Sequence, residues 1–415
     1  MTQGRLDIAA LLLRYAQAEP PEDVRAVMNL SVLDWAACGI AGQREGAFAD
    51  WAATMTSGGP ATRLDGRTGT VAEAALINGT LSHALDYDDT HFAHIGHPSV
   101  AVVPAALAVA EAEGATLREM VDAALVGAEA SVAAGLWLGR AHYQIGFHQT
   151  ATAGAFGATV AAGRVLRLDP DQFRYALGLC STMASGLKSQ FGTMGKPLNA
   201  GLAARTGVEA AMWAQAGMAS TPDGLAGPLG FGETHHGAGD DVPFDWRMDT
   251  VSHKFHACCH GLHATLEAVR NTPLRDARQV TVHTHPRWMT VCNQVAPDTG
   301  LGAIFSYAHV LAMAAFGLDT GDISAFTDSC AQDPSLVAWR GRVQVVPDES
   351  LTEMQARIVV DGTTYTHDLD SPLPIEARRK RIHEKARALV GARADEIAQA
   401  IEDDDLARFA QLLTS

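Results

Sequence analysis

Apolar residues recur at three- and four-residue spacing along roughly the first 220 residues, as on one face of a helix. The spacing is clear in Leu6–Ala18 and Val24–Gly39. Thr116-Leu-Arg-Glu119 forms a capping box that opens a helix to about Gly139, and Asp169-Pro170-Asp171-Gln172 opens another with proline at its first position. No strand alternation of useful length appears here. We therefore predict a succession of helices.

The pattern changes after about residue 227. Thr221–Pro243 is rich in Gly and Pro and is predicted to be a loop. Strand-like runs follow, of which the last two flank the hairpin signal Asp361-Gly362: Gln279–His285, Val343–Val346, Arg357–Val360 and Tyr365–Leu369. From Ile375 the helical spacing returns. The chain is therefore predicted to be mainly α, with a large all-helical domain (1–250 and 375–415) and an inserted smaller α+β domain (251–374).

Composition narrows the possible partners. The formal net charge of −16 argues against nucleic acid or an anionic membrane as a partner. A 47% apolar but only 6% aromatic content suits helices packed through small residues. Met1–Asp7 is polar and no run of about eighteen uninterrupted apolar residues occurs, so we predict neither a signal peptide nor a membrane span. Six cysteines without zinc spacing favour free thiols in the cytoplasm.

Lysine is scarce, with five residues at 188, 196, 254, 380 and 385. Lys196 lies in the Gly-rich turn Gly192–Leu198, and Lys254 opens a His- and Cys-rich segment that ends at His263. Because an ordinary surface uses lysine freely, these two positions indicate a functional role, although a solvated turn lysine is the alternative for Lys196. The basic run Arg378–Arg381 is interpreted as a solvated helix face.

Histidine and aspartate cluster in residues 83–97, which hold four His and three Asp. One interpretation is a metal site, but the spacing matches no compact ligand motif. A second is acid–base and carboxylate-binding chemistry, with Asp holding the tautomer of a His. A third is helix capping, for which Asp88 or Asp89 is the best candidate. His148 immediately precedes a small-residue helix, whose start is either a carboxylate site or merely structural.

Several of these segments occur together in one known family. Their order along the chain resembles the MmgE/PrpD family, whose members include 2-methylcitrate dehydratase, cis-aconitate decarboxylase and iminodisuccinate epimerase. The segments are Asp86–Thr90, His97–Ser99, Gly146–His148, Gly195–Leu198, Gly201–Ala211 and Lys254–His263. The resemblance implies a helical domain, an α+β lid, an active site in the cleft between them, a homodimer and no required cofactor. The sequence contains no P-loop, GxSxG or Rossmann motif, which agrees with the expectation that no cofactor is required.

The resemblance also implies a set of site residues by matching position. The catalytic set is Lys196, His97, Asp86 and Lys254, and the substrate-binding set is Thr90, His148, His260, His263 and His309. Within these sets we assign Lys196 and His97 as the acid–base pair. Asp86 is expected to orient a basic partner, and Lys254, His148 and His263 to bind carboxylates.

Two positions depart from the decarboxylase branch of that family. Cys259 replaces a histidine, and His309 replaces a tyrosine. We therefore expect a cytoplasmic, cofactor-free dehydratase or epimerase that acts beside a carboxylate of a small di- or tricarboxylic acid. Its partner would be that anion, with no metal. The alternatives are a non-catalytic carboxylate-binding protein and a metal-dependent hydrolase that uses the His/Asp cluster.

Overall fold

The computed structural model describes residues 7–414, which form two compact units. The first unit extends to His253 and resumes at Pro374, and the second comprises Lys254–Leu373. Leu6, which begins the predicted helix Leu6–Ala18, and the polar segment before Asp7 lie outside the described residues.

The regular elements are numbered in chain order. The helices are α1 (Ile8–Gln17), α2 (Glu22–Gly42), α3 (Gly46–Ala53), α4 (Val71–Ser82), α5 (Ser99–Glu113), α6 (Leu117–Ile145), α7 (Gln149–Val165), α8 (Pro170–Met183), α9 (Gly195–Gln215), α10 (Phe231–Thr234), α11 (His263–Ala268), α12 (Pro286–Val291), α13 (Gly300–Ala303), α14 (Tyr307–Ala315), α15 (Asp328–Ala331), α16 (Pro334–Arg340), α17 (Ile375–Val390), α18 (Arg393–Glu402) and α19 (Leu406–Thr414). The strands are β1 (Ala61–Thr62), β2 (Thr68–Gly69), β3 (Val280–Thr284), β4 (Val343–Pro347), β5 (Gln355–Val360) and β6 (Thr363–Asp368).

The first unit contains α1–α10 and α17–α19, and its start signals are confirmed. Thr116 and Glu119 form the reciprocal capping box of α6, and Asp169 and Gln172 form that of α8. At the predicted end of α6, Gly139 has φ +75 and ψ 176, but the helix resumes and continues to Ile145. The unit also holds the two-residue antiparallel ladder β1–β2, so the expectation of helices alone was wrong at that point.

Small residues bring the helices of this unit close together, as the composition predicts. A Cβ added at Gly157 of α7 would lie 2.5 Å from the carbonyl oxygen of Gly127 in α6. A Cβ at Gly79 of α4 would lie 2.9 Å from the Cα of Gly201 in α9. Backbones at this separation leave no room for a methyl group. The glycines therefore determine how closely α4, α6, α7 and α9 pack.

Within residues 7–414, two helices are long and apolar enough, by length and composition alone, to cross a membrane. In α2 and α6 the most apolar window is 83% and 94% buried within the protein, respectively. Core helices of globular domains pass the same test, because a helix buried on all sides is apolar on all sides. Such helices are weak evidence for a membrane span.

The second unit is α+β and contains α11–α16 and β3–β6. Its sheet has the order β4-β3-β5-β6, with β3 and β4 parallel and the other pairs antiparallel. Asp361 and Gly362 form the predicted hairpin turn, with φ +47 and +90, between the paired residues Val360 and Thr363. Apolar residues from the strands and helices form its core, including Leu262, Leu266, Val280, Val282, Tyr307, Val310, Leu311, Trp339 and Ile358. The chain is thus helix-rich with a sheet-containing C-terminal unit.

The basic run on α17 is not a uniformly solvated face. Arg378 and Arg381 are buried, at 4% and 7% relative exposure. Arg378 donates a hydrogen bond of 2.8 Å to the carbonyl oxygen of Asp249. Only Arg379 and Lys380 face solvent. The expectation was wrong for half of the run because α17 packs on α2. The aliphatic part of a long basic side chain can be buried in such a contact.

Candidate functional site

Three segments of the first unit bring polar side chains together. The loop between α4 and α5 carries the His/Asp cluster, His148 is the N-cap of α7, and Lys196 lies in the first turn of α9. The close packing of α4, α7 and α9 places these segments side by side. The site is therefore a consequence of the small residues that let the helices approach.

Asp86 connects the predicted acid–base pair. Its Oδ1 lies 2.7 Å from Lys196 Nζ and 3.5 Å from His97 Nε2. The backbone of Asp86 adopts a left-handed conformation with φ +50, which Asp tolerates better than most residues. Its side chain is 53% exposed, whereas that of Lys196 is 16% exposed. The sequence prediction that Asp86, His97 and Lys196 share a site is consistent with these distances.

Asp88 lies behind His97 and holds two imidazoles. Its carboxylate oxygens are 2.8 Å from His83 Nδ1 and 2.7 Å from His97 Nδ1. Burial alone would raise the pKa of Asp88, but the two imidazoles together lower it well below its usual value. An ionised carboxylate only accepts hydrogen bonds, so Nδ1 of His83, which is hydrogen-bonded to Asp88, carries a proton. Nδ1 of His97 lies at ion-pair distance from the other oxygen, which favours a proton on that nitrogen as well. This leaves Nε2 of His97, on the Asp86 side, able to accept or release a proton.

His83 and Asp88 were missed as site residues. Both fall within the predicted His/Asp cluster, but no site role is predicted for His83, and Asp88 or Asp89 is predicted only as a helix cap. Neither is the N-cap residue of α5, which is Pro98, but Asp89 accepts hydrogen bonds from the backbone N–H and the hydroxyl of Ser99, the first residue of that helix. His83 is fully buried, its ring centroid is 4.5 Å from that of His97, and its Nε2 has no hydrogen-bond partner among residues 7–414.

His148 is a neutral donor rather than an imidazolium. Burial, followed by the nearby His83 and Lys196, lowers its pKa well below the usual value. Asn199 Nδ2 lies 3.3 Å from Nδ1 of His148, so Nδ1 accepts and Nε2 carries the proton. The expected role of His148 in binding a carboxylate stays a prediction, which a neutral N–H group can fulfil by donating a hydrogen bond.

Phe191 is a further residue that the sequence analysis did not identify. Its ring meets that of His148 edge-on at 4.9 Å, and Lys196 Nζ lies 5.6 Å from its centroid. The ring is 39% exposed, which is unusual for phenylalanine. The available signal was its position five residues before Lys196, immediately before the Gly-rich turn Gly192–Leu198. Phe191 supplies an apolar wall beside two polar groups.

Thr90 lies in the same loop, four residues after Asp86. Its backbone pairs with Ser252 through two hydrogen bonds of 2.8 Å. Its Oγ1 is buried and has no hydrogen-bond partner among the described residues. Its substrate-binding role stays a prediction.

The other predicted residues belong to the second unit. His263, His260 and His256 form a cluster, with ring centroids 4.7 Å apart for His260–His263 and 5.2 Å apart for His256–His263. Burial lowers the pKa of His263 well below its usual value, and the nearby Lys254, itself buried, lowers it further. Lys254, His260 and His263 thus lie near one another within the second unit, and their role in binding substrate stays a prediction.

His309 lies in a different environment within this unit. It is fully buried in α14, its Nε2 is 3.8 Å from Cys330 Sγ, and its backbone N–H is capped by Ser306. Burial lowers the pKa of His309 to about 4, with a smaller effect from Arg340. The ring is therefore neutral at physiological pH, and any role in binding would be that of a neutral imidazole.

The loop cluster could also hold a metal ion. One ligand atom from each of His83, Asp86, Asp88 and His97 lies within 4.8 Å of the others. However, both oxygens of Asp88 already face imidazole N–H groups, and the ammonium of Lys196 lies against Asp86. A positively charged side chain thus stands beside the position that a cation would take. The donor set fits a metal less well than it fits an anionic ligand held by Lys196.

Comparison with known proteins covers most of the chain. Residues 6–242 match the model of the MmgE/PrpD N-terminal domain, and residues 256–407 match that of the MmgE/PrpD C-terminal domain. A cis-aconitate decarboxylase of Aspergillus terreus is 28% identical over 92% of this chain and 88% of that protein. The Mus musculus enzyme of the same name is 26% identical over 72% of this chain and 67% of that protein. The Homo sapiens one is 32% identical over 38% of this chain and 34% of that protein.

Proposed function

Because the chain belongs to the MmgE/PrpD family, we propose that it is a lyase or isomerase that acts at the carbon next to a carboxylate of a small di- or tricarboxylic acid. The observation that carries the proposal is the linked set in the first unit: Lys196 against Asp86, Asp86 beside His97, and His97 anchored by buried Asp88. Such a set supplies both a positive charge and a tunable proton carrier.

The positive charge would bind and stabilise the reacting anion. In the structure Asp86 balances the ammonium of Lys196. A substrate carboxylate can take that place, and the same ammonium then faces the negative charge that develops on the neighbouring carbon and its carboxylate. The N–H of neutral His148 adds a donor that needs no protonation. Both groups stabilise an enolate-like species.

The proton carrier would be His97. Asp88 holds the proton on Nδ1, so Nε2 can remove a proton from the substrate carbon and later return it. The ionised Asp88 also stabilises the imidazolium that forms in between. Lys196, on the other side of Asp86, can supply the second proton transfer. This pairing agrees with the roles expected from the sequence.

Three outcomes share this intermediate. Protonation of a leaving hydroxyl gives dehydration, and reprotonation on the opposite face gives epimerisation. Loss of carbon dioxide, which the names of the relatives describe for those proteins, reaches the same carbanion by another bond cleavage. We favour dehydration or epimerisation because Cys259 and neutral His309 replace the histidine and tyrosine expected for decarboxylation.

The proposal extends to the second unit. Lys254, His260, His263 and His309 are proposed to bind further carboxylates of the substrate, with the second unit acting as a lid. A polyanionic ligand would complement the positive charges of Lys196 and of buried Lys254 in an otherwise acidic chain. A homodimer in the cytoplasm is proposed on the family resemblance alone.

The test is a substrate panel followed by NMR. Purified protein is incubated with citrate-like tricarboxylates, cis-aconitate, and hydroxy- and imino-dicarboxylates, and the products are identified from their carbon spectra. Loss of water or inversion on at least one member is the expected result. Carbon dioxide release alone would replace the favoured reaction with decarboxylation. Binding without any chemical change would support the alternative of a non-catalytic carboxylate-binding protein.

A metal-dependent hydrolase is the second candidate, because four potential ligands lie close together in the loop. We expect EDTA to leave turnover unchanged and elemental analysis to find less than one bound metal per chain, since Lys196 occupies the cationic role. Stoichiometric zinc or iron whose removal abolishes turnover would establish the metal-dependent alternative instead.

A further inference from the structure

A buried lysine from the C-terminal return of the first unit contacts the active-site loop. Lys385 of α17 has a side chain only 2% exposed, and its Nζ lies 2.6 Å from Oδ1 of equally buried Asp34 in α2. The same ammonium donates a hydrogen bond of 2.6 Å to the carbonyl oxygen of Tyr87 and lies 4.0 Å from the centroid of the Tyr87 ring. Tyr87 stands between Asp86 and Asp88 in the sequence.

Each of the three residues that follow Asp86 in this loop has a contact that fixes it. Lys385 holds Tyr87, the two imidazoles hold Asp88, and Ser99 holds Asp89. The residue just before these three is Asp86, whose left-handed backbone is one that most side chains disfavour. A conformation of this kind persists only where the surrounding contacts fix it. The bond from Lys385 to the Tyr87 carbonyl is such a contact, at the residue that follows Asp86.

The charge of Lys385 also suits its surroundings. Three carboxyl groups lie in this part of the interior: Asp34, Asp88 and Asp89. Burial raises the pKa of Asp89 to about 7, and the nearby Asp34 and Asp88 add to the effect. A buried ammonium offsets this concentration of negative charge. The chain has only five lysines, so placing one here is not a matter of general surface composition.

We propose that Lys385 is a positioning residue for the active site. Acting through the Tyr87 carbonyl, it fixes the loop so that Asp86 meets Lys196 and Asp88 meets the imidazoles. The expected fall in kcat rests on the proposed function, whereas the expected change in the position of the loop does not. It makes the C-terminal return of the chain a part of the active-site construction.

The experiment compares two variants that share one background. Lys385→Met alone would leave Asp34 as an uncompensated buried charge and could prevent folding. Asp34→Asn removes that charge and keeps the bond from Lys385 to Tyr87, whereas Asp34→Asn/Lys385→Met removes the bond as well. Lys380→Met is the matched control, because Lys380 lies on the same helix with a side chain 76% exposed.

Kinetics and imidazole NMR are measured on all variants after circular dichroism establishes folding. The double variant should show a kcat at least about tenfold below that of Asp34→Asn, with KM changed less than about threefold, because Lys385 shifts catalytic groups without touching substrate. The ring ¹⁵N signals of His83 and His97 should move in the double variant and not in Lys380→Met.

Two results would overturn the proposal. One is a folded double variant with the kcat and the imidazole signals of Asp34→Asn. The other is a double variant that loses thermal stability alone, with kcat per folded molecule unchanged. The hydrogen bond from Lys385 to the Tyr87 carbonyl would then stabilise the fold without positioning the active site. If the wild-type protein turns over no member of the panel, the NMR arm still decides: moved signals uphold the positioning role while the proposed substrate class fails.

Discussion

Asp88 is the residue that organises protonation at the site. It is buried and ionised, and it fixes the same tautomer in two histidines at once. Of these, His97 faces the exposed carboxylate of Asp86, while His83 is fully enclosed. With Asp88 against Nδ1, the other nitrogen of His97, Nε2, faces Asp86 and is available to accept a proton.

Substitution of Asp88 by Asn tests this role. The amide would present N–H to at least one imidazole and force its proton onto the other nitrogen, so we expect kcat to fall by roughly 10²–10⁴-fold. Steady-state kinetics across the substrate panel gives the measurement. Since Asp88 acts through His97, Asp88→Asn/His97→Gln should be no slower than His97→Gln alone. Fully multiplicative losses would show that Asp88 acts independently of His97.

Site residues that carry a signal in the sequence itself were predicted better than those whose role depends on tertiary contacts. Lys196 stood out because lysine is scarce, and Asp86 and His97 because they fall in a dense polar cluster and in family motifs. His83, Asn199 and Phe191 were missed since their roles depend on which side chain they face across helices. The neutral state of His148 could not be predicted either, because it results from burial and from neighbours that are distant in sequence.

At the scale of elements, the contact between α6 and α7 shows how glycine sets the geometry of the site. His148 caps α7, so any outward movement of this helix displaces a proposed substrate-binding group. The Cβ of a residue at position 157 would meet both the Gly127 carbonyl and, at 2.7 Å, the Cβ of Ser131. Neither atom can move without shifting α6.

We therefore expect Gly157→Ala to destabilise the protein by about 1–3 kcal/mol, as overpacking does in a well-filled core. Thermal unfolding followed by circular dichroism provides the measurement. Gly46→Ala is the matched control, since an added Cβ there meets nothing within 4 Å, and its unfolding temperature should stay equal or rise slightly. Equal stability of the two variants would contradict the packing described for α6 and α7.

Local signals predicted the elements well, and tertiary contacts account for the errors. The capping boxes at Thr116 and Asp169 and the Asp361-Gly362 turn depend on residues a few positions apart, so the sequence contains the whole cause. The continuation of α6 beyond Gly139 and the burial of Arg378 and Arg381 depend on packing partners far along the chain. A single sequence does not show those partners.

At the scale of the whole molecule, buried histidines make stability depend on pH. Burial is the main cause of a strongly lowered pKa in seven of them: His91, His94, His142, His148, His253, His263 and His309. Between pH 6.5 and about 4 the unfolded chain binds protons at these sites that the folded chain does not. Their contribution to stability is therefore present above pH 6.5 and is lost as pH falls. Asp89 and Glu129, whose pKa values are raised to about 7 and about 8, oppose this trend but are fewer.

The urea midpoint of unfolding should accordingly be lower at pH 5 than at pH 7. For His91, a pKa lowered to about 4 corresponds to about 3 kcal/mol once pH lies below both values. His91→Gln keeps a donor for the Arg247 carbonyl. In this variant the free energy of unfolding should change less steeply with pH, by the equivalent of about one proton. A midpoint that is equal or higher at pH 5 would show that these imidazoles take up protons in the folded state.

The central claim is that Lys196 and His97 handle charge and a proton at the carbon next to a carboxylate. Deuterium incorporation at that carbon, followed by NMR in heavy water, tests it most directly. Epimerisation and decarboxylation place a solvent deuteron there in the product, and reversible proton removal during dehydration places one in the recovered substrate. We predict incorporation by the wild-type protein and by Lys380→Met, and a loss of at least about 10²-fold in rate for Lys196→Met and His97→Gln, each still folded. Wild-type rates of incorporation in either of those two variants would contradict the account.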